Sequence, residues 1–436
     1  MDRKRVGIVG AGVSGRAAGK HALDKGFSPV VFEADDTIGG VWAHTLQSTR
    51  LQAPTTSFRF SDLAWPASVT ATYPGHHEVM EYLRSYACEF DLLKCIKFSS
   101  QVLGVEYFGA TEEEIMEWKH WSGDDGKAFR AGKDGGWSLK VKDLKIGAVE
   151  VFQVDFLILC IGRHSGTPNI PEFPVNKGPE FFKGKILHSM DYSYMDNAAE
   201  FVKGKSVTII GSGKSAFDIA AEVAKVNGES KRTKTALTSN NHSEYVSDTS
   251  APMQRWAITK VIETYLKQRI PLQKHGMVPD YSFSFAMSSC LIAMLPKGFY
   301  DRVDDGSIIL KNSKRFSFCS DGINLEDGEE SIKSDIIILA TGFRGDQKLR
   351  DIFTANWCRN IVAGSSDTSV PLYRECIHPR IPQLAIVGYS ESLTDIYVSE
   401  RVANWVIHFL AGGFQMPSAF AEDNSISVTS VLIAKE

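Results

Sequence analysis

Two stretches of this chain carry the same local design, and that repetition limits the folds open to it. RVGIVGAGVSGRAAGKHAL begins at residue 5 and SVTIIGSGKSAFDIAAEV at residue 206. Each is a short apolar run, then a G-x-G turn, then a segment whose apolar residues recur with helical spacing. The first predicts a strand over Arg5–Val9, a turn over 10–15, a helix to about Lys25 and a second strand over 29–33. The second predicts a strand over 206–210, a turn over 211–216, a helix to about Val226 and a strand-like TKTAL.

The likeness extends to the far ends of both units. VDFLILCIGR ends at Arg163 and SDIIILATGF at Phe343; each is an Asp followed by an apolar run that stops at a glycine. Such runs fit buried strands of parallel sheets. Each follows a stretch that reads as an antiparallel meander: WSLKVKDL with VEVFQVDFLIL, and SIILKNSKRFSFC with GINLEDG. The expected fold class is α/β, with two Rossmann-like dinucleotide-binding domains. Residues 1–163 and 335–436 form a discontinuous first domain, and 164–334 are inserted as the second. Residues 109–136, charged and glycine-rich, read as an exposed loop, and 238–252 as a polar loop or insert.

At 436 residues the chain exceeds one ordinary domain. A formal charge of −4 gives no global basic field for nucleic acid or anionic membrane. The cysteines (Cys88, Cys95, Cys160, Cys290, Cys319, Cys358, Cys376) are odd in number and form no C-x-x-C pair. That argues against a disulfide framework and a zinc site, and makes a reducing, cytoplasmic compartment the expectation. MDRKRVGIVG enters the first strand with no signal-like stretch, and no apolar run is long enough to span a membrane. VANWVIHFL, residues 402–410, reads as an amphipathic core helix. Oligomeric state is not legible.

The turn GAGVSG (Gly10, Ala11, Gly12, Val13, Ser14, Gly15) has the G-x-G-x-x-G spacing. The first glycine permits the tight turn, the second admits a pyrophosphate to the backbone, and the third lets helix and strand pack closely. The helix N-terminus adds unpaired N–H groups and positive dipole. Glu33 stands where an acid accepts ribose hydroxyl protons. Its charge would repel a 2′-phosphate, so the site suits FAD or NAD. IGGVW follows at once: Gly40 can bring backbone close to a ligand, and Trp42 reads either as part of that wall or as a core aromatic.

The second turn, GSGKSA (Gly211, Ser212, Gly213, Lys214, Ser215, Ala216), has alanine at the third glycine position, which tolerates it. Lys214 can help neutralise pyrophosphate. The offset that leads from Gly10 to Glu33 leads from Gly211 to Lys234, inside a cluster with Lys231 and Arg232. The cluster reads as a 2′-phosphate site or as a solvated loop face; the change from acid to base is the NAD-to-NADP switch. Two such sites imply hydride transfer from NADPH to a flavin. A disulfide-reductase reading would need a redox cysteine pair, which the sequence lacks.

Between the units, FKGKILHSMDY places Phe182, Gly184, His188 and Tyr192 in the pattern F-x-G-x-x-x-H-x-x-x-[YF]. With GAGVSG, GGVW, GSGKSA and ATGF in this order, the chain resembles the flavin-containing monooxygenases. FSDLAWP, YDRV and LYRECIHPRIPQLAIVGYSES liken it to the plant branch. Tyr192, where Baeyer–Villiger relatives carry Trp, favours the heteroatom-oxidising branch. The resemblance implies FAD and NADPH as cofactors and O2 activation as a C4a-hydroperoxyflavin shielded by NADP+. It implies a small amine or sulfur compound as the oxygen acceptor, with no general base required. His188 and His378 therefore read as packing residues, and Gly342 as backbone geometry; no catalytic side chain and no metal ligand is nominated.

The chain departs from the family pattern in three places. LQAPTTSFRFSD has no Asn where many members carry one near the flavin. After Leu237, TSNNHSEYVSDTSAP replaces a longer stretch with a His-Trp pair, and the end, FAEDNSISVTSVLIAKE, departs as well. The expectation is an internally and C-terminally shortened member in which FAD binding survives better than NADPH turnover. Two alternatives stand beside the monooxygenase: an uncoupled NADPH oxidase releasing peroxide, and a flavin-binding pseudo-enzyme.

Overall fold

The computed structural model describes residues 3–118, 121, 126–129, 135–228, 235–238, 253–279, 281–288, 293–313, 315–325, 331–362, 372–389 and 395–416. The chain opens with β1 (Arg5–Val9), α1 (Val13–Asp24), β2 (Ser28–Phe32), α2 (His76–Glu89), β3 (Ile96–Lys97), β4 (Ser100–Phe108), α3 (Glu112–Glu117), β5 (Gly136–Asp143), β6 (Val149–Val154) and β7 (Phe156–Leu159). It continues with β8 (Lys185–His188), α4 (Ser189–Ser193), α5 (Ala198–Val202), β9 (Val207–Ile210), α6 (Lys214–Asn227), β10 (Thr235–Thr238), α7 (Met253–Arg269), α8 (Phe283–Ser288) and α9 (Phe299–Asp304). Then come β11 (Ile308–Leu310), β12 (Phe316–Cys319), β13 (Gly322–Leu325), β14 (Ser331–Lys333) and β15 (Ile336–Leu339). The last elements are α10 (Gly345–Asp351), α11 (Asn356–Val362), β16 (Leu384–Ile386) and α12 (Asp395–Leu410).

The chain folds as two units: residues 1–43, 53–167 and 344–436 form the first, and 44–52 with 168–343 form the second. The first holds a parallel sheet in the order β16-β7-β1-β2-β3, the second a parallel sheet in the order β11-β10-β9-β15-β8. In each, the strand entering the glycine turn lies between the strand that follows its helix and the distal apolar strand. Each unit also has a three-stranded antiparallel meander, β4-β5-β6 and β12-β13-β14. SIIL, read from sequence as the start of the second meander, lies elsewhere: β11 joins the parallel sheet beside β10.

The matching acids do matching work. Asp155 Oδ2 accepts the Arg5 N–H at 2.7 Å, and Asp335 Oδ2 accepts the Ser206 N–H at 2.8 Å. Each fixes the register between the first and the distal strand of its unit. β7 and β15 are buried along their whole length, which is why their sequences show continuous apolar runs without alternation.

Three expected boundaries change. Residues 335–343 belong to the second unit, because β15 pairs with β8 and β9. Residues 164–167 stay with the first. Residues 44–52 fold with the second: Leu46 packs on its core, Thr49 Oγ1 donates to Asp218 Oδ2 at 2.7 Å, and Ser48 Oγ donates to Glu222 Oε2 at 2.7 Å. Residues 109–136 are not simply a loop. Thr111 caps α3 by accepting the Glu114 N–H at 3.3 Å, Ile115 is buried, and buried Trp121 donates its indole N–H to the carbonyls of His378 and Ile381. The segment 239–252 lies outside the described residues. The helix expected over 402–410 is the second half of α12, whose Ala403, Val406, Ile407 and Phe409 are fully buried.

FSDLAWP is a packing device of the first unit. The Tyr82 hydroxyl accepts the Phe60 N–H at 2.9 Å and donates to the Leu63 carbonyl at 2.7 Å. Buried Glu400 accepts the Ser61 N–H and hydroxyl at 2.7 and 2.8 Å, and Asp62 pairs with Lys20 at 2.7 Å. Trp65 stacks on Tyr82 and Phe60 on Tyr86.

Candidate dinucleotide sites

β1 ends at Gly10, whose φ of +100° and close neighbour exclude a side chain: a Cβ there would stand 2.5 Å from the Cys160 carbonyl oxygen. A Cβ on Gly15 would lie 1.8 Å from the Gly10 carbonyl oxygen, so α1 starts as close to the strand as backbone allows. Gly12 caps α1 with no side-chain acceptor, and no acid lies in the first turn. The first-turn N–H groups are therefore without an acidic side-chain partner of their own helix. Gly40 meets Gly12 backbone to backbone, and a Cβ on Gly40 would lie 3.1 Å from the Gly12 Cα. IGGVW thus supplies the second wall of a cradle made of main chain.

Around this cradle Ala11 is buried and Val13 half-buried, while Ser14 directs its hydroxyl to Ser399 on α12 at 3.2 Å. Trp42 is half-buried; its carbonyl bonds the His76 Nε2 at 2.8 Å and its ring meets Phe58 edge-on. Glu33 follows the end of β2 and is buried. Its Oε2 accepts the Ala11 N–H at 2.6 Å, and its Oε1 accepts the Asp35 N–H at 3.0 Å. Burial pushes its carboxyl up from the ordinary value, and the bonds from Asp35 and Ala11 oppose that shift. Each oxygen keeps acceptor capacity for a ribose hydroxyl.

Two cations here were not singled out from sequence. Arg16, directly behind Gly15, is fully buried; Nε donates to Gly12 O at 3.1 Å, Nη1 to Leu83 O at 2.5 Å, and Nη2 has no partner. Its signal was a charge on the buried face of an otherwise small-residue helix. Lys348 on α10 donates to Ile161 O at 2.5 Å and to Ser165 Oγ at 2.9 Å. GDQKLRD carries no sequence sign of that placement.

The second turn repeats the geometry. Gly211 has φ of +143°, and a Cβ there would stand 2.3 Å from the Ala340 carbonyl oxygen, the counterpart of Cys160. Gly213 caps α6 in extended backbone, with open space where a Cβ would go. Ser212 is half-buried, Ser215 exposed and Ala216 fully buried. The Lys214 ammonium, expected to help neutralise a pyrophosphate, pairs with buried Asp218 one helical turn on at 2.5 Å. Lys231, Arg232 and Lys234 lie outside the described residues.

The F-x-G-x-x-x-H-x-x-x-[YF] residues act on the fold of the second unit. Phe182 is buried, and a Cβ on Gly184 would stand 2.4 Å from the Asp335 carbonyl oxygen. His188 Nδ1 accepts the Met190 N–H at 3.2 Å, so Nε2 carries the proton and donates to the Gly342 carbonyl at 3.0 Å. Tyr192 is buried and donates to Glu222 Oε1 at 3.3 Å. Gly342, with φ of +83°, presents its carbonyl to both His188 and the Asn169 N–H.

His378 is satisfied in the same way: Nδ1 accepts the Arg380 N–H at 3.1 Å and Nε2 donates to Ile361 O at 3.0 Å. Burial lowers its pKa to about 4. The native state therefore binds the proton later than the unfolded chain, so His378 penalises folding as pH falls from the ordinary histidine value toward that lowered one. Over that window stability drops by up to about 3 kcal/mol more in the wild type than in His378→Asn. Chemical denaturation of both at neutral pH and near pH 4.5 measures the difference; equal acid losses would reject it.

The fold and the paired glycine turns define an α/β protein with two dinucleotide-type sites. The family profile described as flavin-binding monooxygenase-like matches residues 3–428, and the chain belongs to this family. It is 36% identical over 431 residues to an Arabidopsis thaliana protein described as putative flavin-containing monooxygenase 2, covering 95% of this chain and 88% of that one. Among solved structures it resembles the S-allyl-L-cysteine S-oxygenase of Allium sativum (TM-score 0.62, 20% identity, 96% of this chain and 79% of that chain). It also resembles the OTEMO complex with FAD and NADP (TM-score 0.61, 17% identity, 94% and 85%). The protein is accordingly a flavin-dependent monooxygenase, an oxidoreductase of the plant branch, with FAD and NADPH as its cofactors. Among the described residues no helix is long and apolar enough to cross a membrane.

Proposed function

We propose that the first unit holds FAD, the second holds NADPH, and the enzyme oxygenates a nucleophilic nitrogen or sulfur of a small molecule. The observation that carries the cofactor assignment is the contrast behind two equivalent turns. Glu33 ends β2 after the first, whereas a basic cluster, Lys231, Arg232 and Lys234, follows α6 after the second. The main chain at Gly12 and Gly40 suits a pyrophosphate, because neither residue adds a side chain there and the α1 N-terminus carries no acid of its own. Glu33 accepts from the ribose hydroxyls while its bonds to Ala11 and Asp35 hold it in place. Gly213 leaves the α6 N-terminus open for a second diphosphate.

Reduced flavin supplies the activation of O2. Two electrons come from NADPH, one oxygen atom goes to the substrate and the other leaves as water. His188 and His378 have both ring nitrogens committed to backbone groups, so neither is free to act as a general base. The likeness to the garlic S-oxygenase favours thioethers as first substrates to try. The test is purification with FAD, then NADPH and O2 consumption with a panel of amines, amino acids, thioethers and keto acids. Product carrying oxygen from labelled O2 in step with NADPH use is the expected result. Peroxide in place of product identifies an oxidase, and bound FAD without NADPH oxidation identifies a pseudo-enzyme; either would overturn the proposal.

A further inference from the structure

Two cations, buried Arg16 and half-buried Lys348, stand near the glycine turn of the first unit against one buried acid, Glu33. The Lys348 ammonium donates to Ile161 O at 2.5 Å, Ser165 Oγ at 2.9 Å and Gly162 O at 3.4 Å, all neutral acceptors. No carboxylate among the described residues pairs with it. The Arg16 guanidinium likewise bonds only carbonyls and leaves Nη2 without a partner. Glu33 is the acid whose field favours both cations, and its own oxygens already take two N–H groups. The N-terminal end of α1 adds further positive potential. Charge withdrawn from water without a full counter-charge is costly, which favours an anion at this end of the unit.

Lys348 is close to the turn. Its main acceptor, the Ile161 carbonyl, belongs to the peptide that follows the one backing Gly10: a Cβ on Gly10 would lie 2.5 Å from Cys160 O and 3.7 Å from Ile161 N. The ammonium therefore anchors the segment just past that wall, near enough to Glu33 for the carboxylate's field to favour its charge. We propose that Lys348 is a positioning and charge-complementing residue of the FAD site, whose ammonium is offset by the pyrophosphate of the bound dinucleotide. This rests on the assignment of FAD to the first unit.

A distinctive pH signature follows. Glu33, after β2, is the charged group whose field acts on Lys348; Arg16 on α1 feels the same carboxylate, and Arg163 after β7 and Asp346 on α10 act on Tyr389 after β16. Burial brings the Lys348 pKa down to about 8, with Glu33 opposing the shift. An anionic ligand raises that value, so binding is strongest where Lys348 is already protonated. Above about pH 8 binding must take up a proton, and affinity falls.

The experiment is FAD binding to apoprotein, followed by flavin fluorescence at pH 7 and pH 9, for wild type, Lys348→Met and Lys348→Arg. Wild-type dissociation constants rise about tenfold between the two pH values. Lys348→Met binds at least about tenfold more weakly at pH 7 and shows no such pH dependence. Lys348→Arg, charged at both pH values, recovers the pH 7 affinity and is also flat. A flat wild-type profile, or a Lys348→Met protein that keeps the wild-type profile, overturns the proposal; the wild-type and Arg arms decide it even if the Met variant does not fold. Wild type that binds no FAD at all would sink the cofactor assignment beneath it, and the proposal with it.

Discussion

Gly15→Ala is expected to yield protein that loses most of its FAD on purification, while Ala216→Gly at the equivalent position leaves NADPH binding within about threefold of wild type. The two turns look alike in sequence, but their tolerance differs. A Cβ on Gly15 would stand 1.8 Å from the Gly10 carbonyl oxygen, a backbone atom that cannot rotate away. Relief requires α1 to move off β1, and with it the N–H groups that face the pyrophosphate. Overpacking alone costs about 1–3 kcal/mol, and a backbone contact lies at the upper end or beyond. Because the displaced groups belong to the cradle, FAD affinity falls about tenfold to a hundredfold. Ala216 is fully buried, and its helix already accommodates the methyl group. Removing it costs about 1 kcal/mol of helix stability and withdraws no group from the ligand. Flavin content, equilibrium dialysis of both cofactors and thermal unfolding measure the contrast. Full flavin occupancy with unchanged stability in Gly15→Ala would show that the close approach is not required.

Gly213→Asp is expected to keep the fold and the flavin while lowering NADPH affinity about a hundredfold or more. Gly213 is the N-cap of α6, its φ of −91° and ψ of −178° suit any residue, and a Cβ there meets nothing within 4 Å. Aspartate is a good N-cap, so helix stability is unchanged or slightly improved. Its carboxylate, however, occupies the end of the helix that a diphosphate needs. Like charges about 4 Å apart repel by about 4 kcal/mol at the effective dielectric of a protein surface. Gly213→Asn supplies the same cap without the charge and should bind NADPH far better than the aspartate variant. If Asp and Asn variants bind NADPH equally, the second turn does not hold the phosphates.

How much was legible depended on the range of the interaction that decides each feature. The repeat, the strand before each turn, the helix after it and the distal apolar strand were readable because they follow from local spacing. Steric limits at Gly10 and Gly211 force glycine, and burial on both faces forces the continuous runs of β7 and β15. The roles of Asp155 and Asp335 went unread, although their parallel positions were visible, because a carboxylate on a distant strand start has no local signature. The same holds for residues 44–52, which leave one unit in sequence and pack on α6 of the other through Thr49 and Ser48.

The two α/β units, the backbone shape of both turns and the family are readable from the chain alone, since each rests on residue type at fixed short spacing. Long-range packing, by contrast, places the buried polar groups. It committed both nitrogens of His188 and His378 to backbone, and brought Lys348 beside Ile161 although the whole stretch 168–343 of the second unit lies between them in sequence. Charge partners are chosen by packing between elements far apart in the chain. A local pattern records that an element will be buried, but not which distant groups it will meet there.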